Sequence, residues 1–240
     1  MKFFYPFFAP LIGDEEKDSL LATLPKGYTS AAKIFYPFVK MPKDWKPRKS
    51  AIPHRYYPVK EDILKFGTIL TWEEIRRKSG LKSIAEMSIA VTAAITGGEI
   101  CRDVYCRPEL ANAIDQVLGE HVYFPLEDEL PILLMDDILK VLRSKGAETL
   151  QYVNLYGEEG SFSIKNFRLD EMIKLCSEPI LLTDEREEFV FTCYFDEVSA
   201  LFFTKGNCAD ALKGTQLEGI LFDEETPLIW EKHDYQNIHS

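Results

Sequence analysis

The chain is poor in the features that announce a chemistry. Its five cysteines (Cys101, Cys106, Cys176, Cys193 and Cys208) are odd in number and contain no C-x-x-C pair. That argues against a disulfide framework and suits a reducing compartment. Its four histidines (His54, His121, His233 and His239) form no H-x-x-x-H pair, so neither a metal nor another cofactor is expected. The patterns G-x-x-x-x-G-K-[ST], G-x-G-x-x-G and G-x-S-x-G are absent. Phosphate-loop and nucleophile-elbow chemistry therefore have no local signature. No run reaches the roughly 20 apolar residues that span a membrane. Pro6 and Pro10 interrupt the apolar start, and Asp14-Glu15-Glu16 stand where a signal peptide would carry small residues. These absences predict a cytoplasmic protein with no membrane partner.

What is present suffices for a folded core. Of 240 residues 46% are hydrophobic, and 16 Phe and 11 Tyr supply large apolar surfaces, so folding needs no metal or disulfide staple. Residues 1–60 are rich in proline and aromatics. Phe4-Tyr5-Pro6-Phe7 recurs as Phe35-Tyr36-Pro37-Phe38, and Tyr57-Pro58 echoes it. Proline excludes such positions from helix interiors and extends the residue before it, which predicts an extended arm. Residues 61–146 read as helical. Thr71-Trp72-Glu73-Glu74 and Ser83-Ile84-Ala85-Glu86 fit capping boxes, with Gly80 ending the first helix. In the second, Ile84, Val91 and Ile95, with Leu81 before them, mark one face. Pro108 opens a third helix that should run to Gly119, and Glu127-Asp128-Glu129 precede a fourth that stops at Gly146.

Beyond Gly146 the period changes. Leu150–Leu155 and Ser161–Ile164 read as strands joined across Gly157-Glu158-Glu159-Gly160, and a short helix covers about 169–176. Ile180–Leu182, Phe189–Phe195, Ala200–Phe203, Gly219–Phe222 and Pro227–Trp230 complete an antiparallel sheet. The expected fold is α+β: an extended Pro/aromatic arm, a helical middle and a C-terminal antiparallel sheet, in one domain over 1–240.

Charge is divided unevenly. The net charge is −11, and residues 157–240 hold 18 acids against 7 bases, a net of −11, so the first 156 residues are neutral. Within them, Lys33–Lys60 carries eight bases and one acid, Asp44. Helix, Gly80, helix invites a helix-turn-helix reading, but from Ile84 to Thr96 no Arg, Lys, Asn or Gln could reach bases or phosphates. A DNA-binding regulator is thus the weakest of three function classes, and nucleic acid is not an expected partner. The second is an enzyme whose site is assembled from dispersed carboxylates. The favoured one is a protein-interaction module whose acidic C-terminal surface binds a basic partner. Asp196, Glu197, Asp223, Glu224, Glu225 and Trp230 are its candidate contact residues, and a homo-oligomer is compatible with all three.

Leu70-Thr71-Trp72-Glu73-Glu74-Ile75, Gly80-Leu81-Lys82-Ser83 and the Ala/Ile-rich helix after them carry a resemblance. So do Phe195-Asp196-Glu197-Val198, Leu201-Phe202-Phe203-Thr204-Lys205 and Gly219–Thr226, closing on Trp230-Glu231. Together, covering most of the chain after about residue 60, they resemble a bacterial family of unknown function, found mainly in spore-forming Gram-positive species. The resemblance implies a cytoplasmic bacterial protein and brings no catalytic residues with it.

Overall fold

A computed structural model describes residues 20–46, 57–96, 107–193 and 197–224. In chain order the elements are α1 (Leu20–Thr23), β1 (Ser30–Phe35), β2 (Phe38–Lys40), α2 (Lys60–Phe66), β3 (Thr68–Leu70), α3 (Trp72–Ser79), α4 (Ile84–Thr96) and α5 (Pro108–Asp115). After β4 (Val122–Tyr123) and a 3-10 turn (Ile132–Leu134) come α6 (Met135–Arg143), β5 (Thr149–Asn154), β6 (Glu159–Ser163) and α7 (Leu169–Leu175). The last are β7 (Ile180–Asp184), β8 (Phe189–Cys193), β9 (Ser199–Thr204), α8 (Cys208–Leu212) and β10 (Gly219–Leu221). The fold is α+β, as expected.

The described residues group into two compact units, 20–36 with 126–193 and 197–224, and 37–46 with 57–96 and 107–125. The blocks read from the sequence cross this division. Ser30–Phe35, part of the extended arm, is a strand inside the first unit's sheet, whereas Phe38–Lys40 belongs to the second unit.

The first unit holds a seven-stranded antiparallel sheet in the order β10-β1-β9-β8-β7-β5-β6. β7, β8 and β9 are buried along their whole length. This is the pattern of strands covered on both faces, and it explains their nearly unbroken apolar runs. On one face Leu20 and Leu24 of α1, with Tyr28, pack against Val190, Leu201 and Phe203. On the opposite face Phe202 stacks on Phe191 with ring centroids 4.5 Å apart. β1 pairs with β9 from Ser30↔Thr204 to Phe35↔Ser199, and its other side receives β10. In α6, Ile138, Leu139, Val141 and Leu142 are buried. Asp137 Oδ2 accepts from Gln216 N at 2.9 Å, and Arg143 Nη2 donates to Ile164 O at 2.5 Å. These bonds tie α6 to the segments that enter β10 and leave β6.

The second unit contains a three-stranded sheet, β3-β2-β4, within the span read as arm and helices. Its strands are two or three residues long, below what periodicity detects. Trp45 and Tyr57 meet Tyr123 edge to face, at centroid distances of 6.0 and 5.6 Å. α3, α4 and α5 start where expected, whereas α2 was not read from the sequence. Thr71 Oγ1 accepts from Glu74 N at 3.1 Å and Glu74 Oε2 accepts from Thr71 N at 2.9 Å, a complete capping box. Gly80 ends α3 with φ 73, in the left-handed region. Before α4, Ser83 Oγ accepts from Glu86 N, but Glu86 Oε2 reaches back to Lys82 N, at 2.6 Å, so the second box is displaced by one residue. The single apolar face expected for α4 is also wider than read: Ala85, Met87, Ile89, Ala90, Val91 and Ala93 are all buried. A helix apolar nearly all round is an enclosed one. α5 stops at Asp115, short of Gly119.

Candidate functional site

Among the described residues the first unit carries 20 Asp and Glu against 11 Lys and Arg, a net of −9, and the second 9 against 10, a net of +1. Twelve of the first unit's acids, Glu148, Glu158, Glu185, Glu197 and Glu224 among them, stand at strand ends or turns, and the other eight lie on or before helices.

Of the six residues selected from the sequence, Asp196, Glu225 and Trp230 lie outside the described residues. Glu197 is half-buried before β9, and its Oε2 accepts from Ser199 Oγ at 3.3 Å. It lies at the Phe35 end of β1, because Phe35 pairs with Ser199. Asp223 and Glu224 are exposed just past β10, at the Ser30 end, because Phe222 N donates to Ala31 O. At about 3.3 Å per residue, the length of β1 puts Glu197 roughly 20 Å from Asp223. The structure does not bring them together.

At the Ser30 end, Asp223 and Glu224 share the sheet's rim with the β7–β8 turn. Asp184, fully buried, accepts at Oδ1 from Glu188 N (2.6 Å) and Phe189 N (3.1 Å) and so closes that turn. Burial acts to raise the pKa of Glu185. The amides of Glu185, Glu148 and Thr149 and the Arg186 guanidinium outweigh it and hold the carboxyl below its ordinary value. Tyr28 Oη donates to Glu187 O at 2.6 Å. Burial, reinforced by Glu187, Asp184 and Glu188, pushes that phenol far above its usual range.

The opposite end holds a polar constellation that sequence reasoning passed over. Asn154, 1% exposed, ends β5. Its Nδ2 donates to Glu158 Oε2 (3.1 Å) and Glu178 Oε1 (2.9 Å), and its Oδ1 accepts from Tyr156 N (3.1 Å) and Glu158 N (2.8 Å). Two amide donors on one side and two carboxylates on the other leave one orientation for this side chain. Lys174 Nζ donates to Tyr152 Oη at 2.9 Å. That bond, helped by the nearby Tyr152, Glu158 and Glu178, raises the Lys174 pKa. Tyr152 stacks on Phe162, centroids 5.3 Å apart. An Asn at the end of an apolar strand, ahead of Tyr-Gly-Glu-Glu-Gly, is a turn signal. Glu178 comes from beyond α7 and has no local signal.

Two anchored carboxylates beside an ammonium can attract a cationic group. A cavity of about 250 Å³ lies elsewhere, lined by Ala32, Ile34, Leu212, Lys213, Leu217 and Leu221, and its lining offers a substrate no carboxylate. Among the described residues no group of three or more His, Cys, Asp or Glu could hold a metal, and no helix is long and apolar enough to cross a membrane. In the helix pair, Arg76 is committed within its own unit. It donates to both Glu73 oxygens (2.6 and 2.8 Å) and to the carbonyls of Leu81 (2.8 Å) and Lys82 (3.2 Å).

The chain is similar to an uncharacterized protein, YwbB, of Bacillus subtilis (strain 168). The two are 26% identical over 219 residues, which cover 90% of this chain and 96% of that protein. No solved structure matches it. A family model described as protein of unknown function (DUF2711) matches residues 16–232. With more than half its length inside that match, the chain belongs to this bacterial family of unknown function.

Proposed function

We propose that this chain is a cytoplasmic protein-interaction module whose acidic surface, carried by the seven-stranded sheet, binds a basic protein partner. One observation carries the reading. The sheet-bearing unit has a net charge of −9 among its described residues, against +1 for its neighbour, and exposed acids such as Glu185 and Glu224 stand at strand ends where a partner can reach them. Such a field speeds encounter and selects partners of opposite sign.

The test is co-purification from the source bacterium with quantitative mass spectrometry. It compares the native chain with a Glu187→Lys, Glu188→Lys, Glu224→Lys variant. Each reversal changes the charge by two, so the net falls from −11 to −5. Basic proteins should accompany the native chain, be depleted with the variant, and be released by about 0.5 M salt, where screening acts within a few ångströms. An identical, uncharged-biased set of companions for both chains would sink the reading.

A further inference from the structure

The cavity of about 250 Å³ lies within the first unit, where β10 and β1 end the sheet. Ala32 pairs with Leu221 and Phe202, and Ile34 with Gly219 and Ala200, so these positions share one face of the sheet. Ala32 and Ile34 line the cavity from β1, and Leu212, Lys213 and Leu217 line it from α8 and the segment that follows. The space is open because Ala32, Ala209 and Gly219 bring little or no side chain to it.

The segment over the sheet is fixed by its own bonds. Asp137 Oδ2 accepts from Gln216 N at 2.9 Å, Thr215 Oγ1 donates to Leu212 O at 2.7 Å, and Lys140 Nζ donates to Gly214 O. Lys140 also pairs with Asp137 at 3.5 Å, so its charge is engaged locally. Lys213 differs. It is exposed, it is the one charged residue of the lining, and among the described residues no carboxylate pairs with it. Its neighbours in sequence Asp210, Glu218 and Asp223 are not in the lining. A preformed apolar hollow with a single cation selects an apolar body that carries a single negative charge. One ammonium suits a carboxylate, whereas a phosphate draws several donors together.

We infer that this cavity binds a medium-chain aliphatic carboxylate, with its carboxylate on Lys213 and its chain over Ala32, Ile34 and Leu217. At about 30 Å³ per water-sized group, the volume takes roughly eight such groups, the length of octanoate. Leu221, 56% exposed on the edge strand, gains apolar cover from the chain. Such binding is independent of partner recognition by the acidic turns.

Saturation-transfer NMR titration of the full chain with sodium octanoate, sodium hexanoate and octan-1-ol tests this. Octanoate should saturate its site below about 5 mM. Hexanoate should bind about tenfold more weakly for its two missing methylenes, and the uncharged alcohol severalfold more weakly. Lys213→Met should abolish the preference for the acid over the alcohol, and Lys213→Arg should keep it. Ala209→Phe, at an exposed position, should fill the hollow and weaken both ligands at least tenfold. No binding of octanoate, or an alcohol bound as tightly as the acid, overturns the inference. Acid selectivity that survives Lys213→Met overturns the placement of the carboxylate, and binding that survives Ala209→Phe overturns the choice of cavity.

Discussion

At the scale of single residues, burial sets the chemistry of the thiols. Cys193 and Cys208 are almost completely buried. Burial pushes both thiols up to about 11, against a partial lowering by Tyr36 and the Ile180 amide for Cys193 and by Ser30 for Cys208. The folded state therefore holds these protons more tightly than the unfolded chain. Their contribution to stability is fully present below about pH 9 and lost as pH rises toward 11, by about 1.4 kcal/mol per pH unit per thiol. Urea titrations at several pH values should show the fall, and a Cys193→Ala, Cys208→Ala variant should flatten its slope over that window. An equal slope in both proteins would show that the thiols are not its source.

Gly160 makes a second residue-scale case. A Cβ there would sit 2.5 Å from Tyr152 Oη. That ring cannot swing aside, because Lys174 holds its hydroxyl and Phe162 its face. Gly160→Ala should destabilise by about 1–3 kcal/mol, read as a shift in urea midpoint at constant slope. No shift would mean that the β5–β6 hairpin gives way easily.

At the scale of elements, the caps α3 and α4 use differ in completeness. Thr71→Ala breaks a reciprocal box and should cost about 1 kcal/mol, and Ser83→Ala somewhat less, because Glu86 serves Lys82 rather than Ser83. Arg76 and Arg77 look alike in the sequence and differ in the fold. Arg76 bridges Glu73 and the carbonyls that follow α3, whereas Arg77 is largely exposed with one 3.4 Å contact to Glu73. Arg76→Ala should lower the melting temperature clearly and Arg77→Ala hardly at all. Equal effects would contradict the bridging role. The strand runs were legible because Phe189–Cys193 and Ser199–Thr204 are dense in β-branched and aromatic residues. β2, β3 and β4 were not, since a strand of two or three residues is made by its partners.

For the whole molecule, stability should rest on the core alone. Cys193 and Cys208 are buried thiols outside any disulfide, so chelator with reductant should leave the melting temperature within about 2 °C. A drop beyond about 5 °C, worth roughly a kilocalorie per mole or more at this size, would reveal a metal or disulfide in the fold. The uneven charge was countable from composition. Its arrangement was not. Glu197 and Asp223 look like members of one acidic tail, yet β1 separates them, because strands that run antiparallel send successive turns to opposite ends of the sheet.

By itself the sequence determined what acts within a few residues: helix starts at Thr71 and Ser83, the stop at Gly80, the change of period after Gly146, and the sign of the charge. Capping, propensity and periodicity are local forces, so they can be read in a local window. Only the tertiary structure decided that β1 would lie between β9 and β10, about 170 residues away in the chain. It likewise decided that Asn154 would gather Glu158 and Glu178. Those choices follow from burying strands on both faces and from satisfying every enclosed amide and carbonyl at once, a condition the whole chain meets together and no segment meets alone.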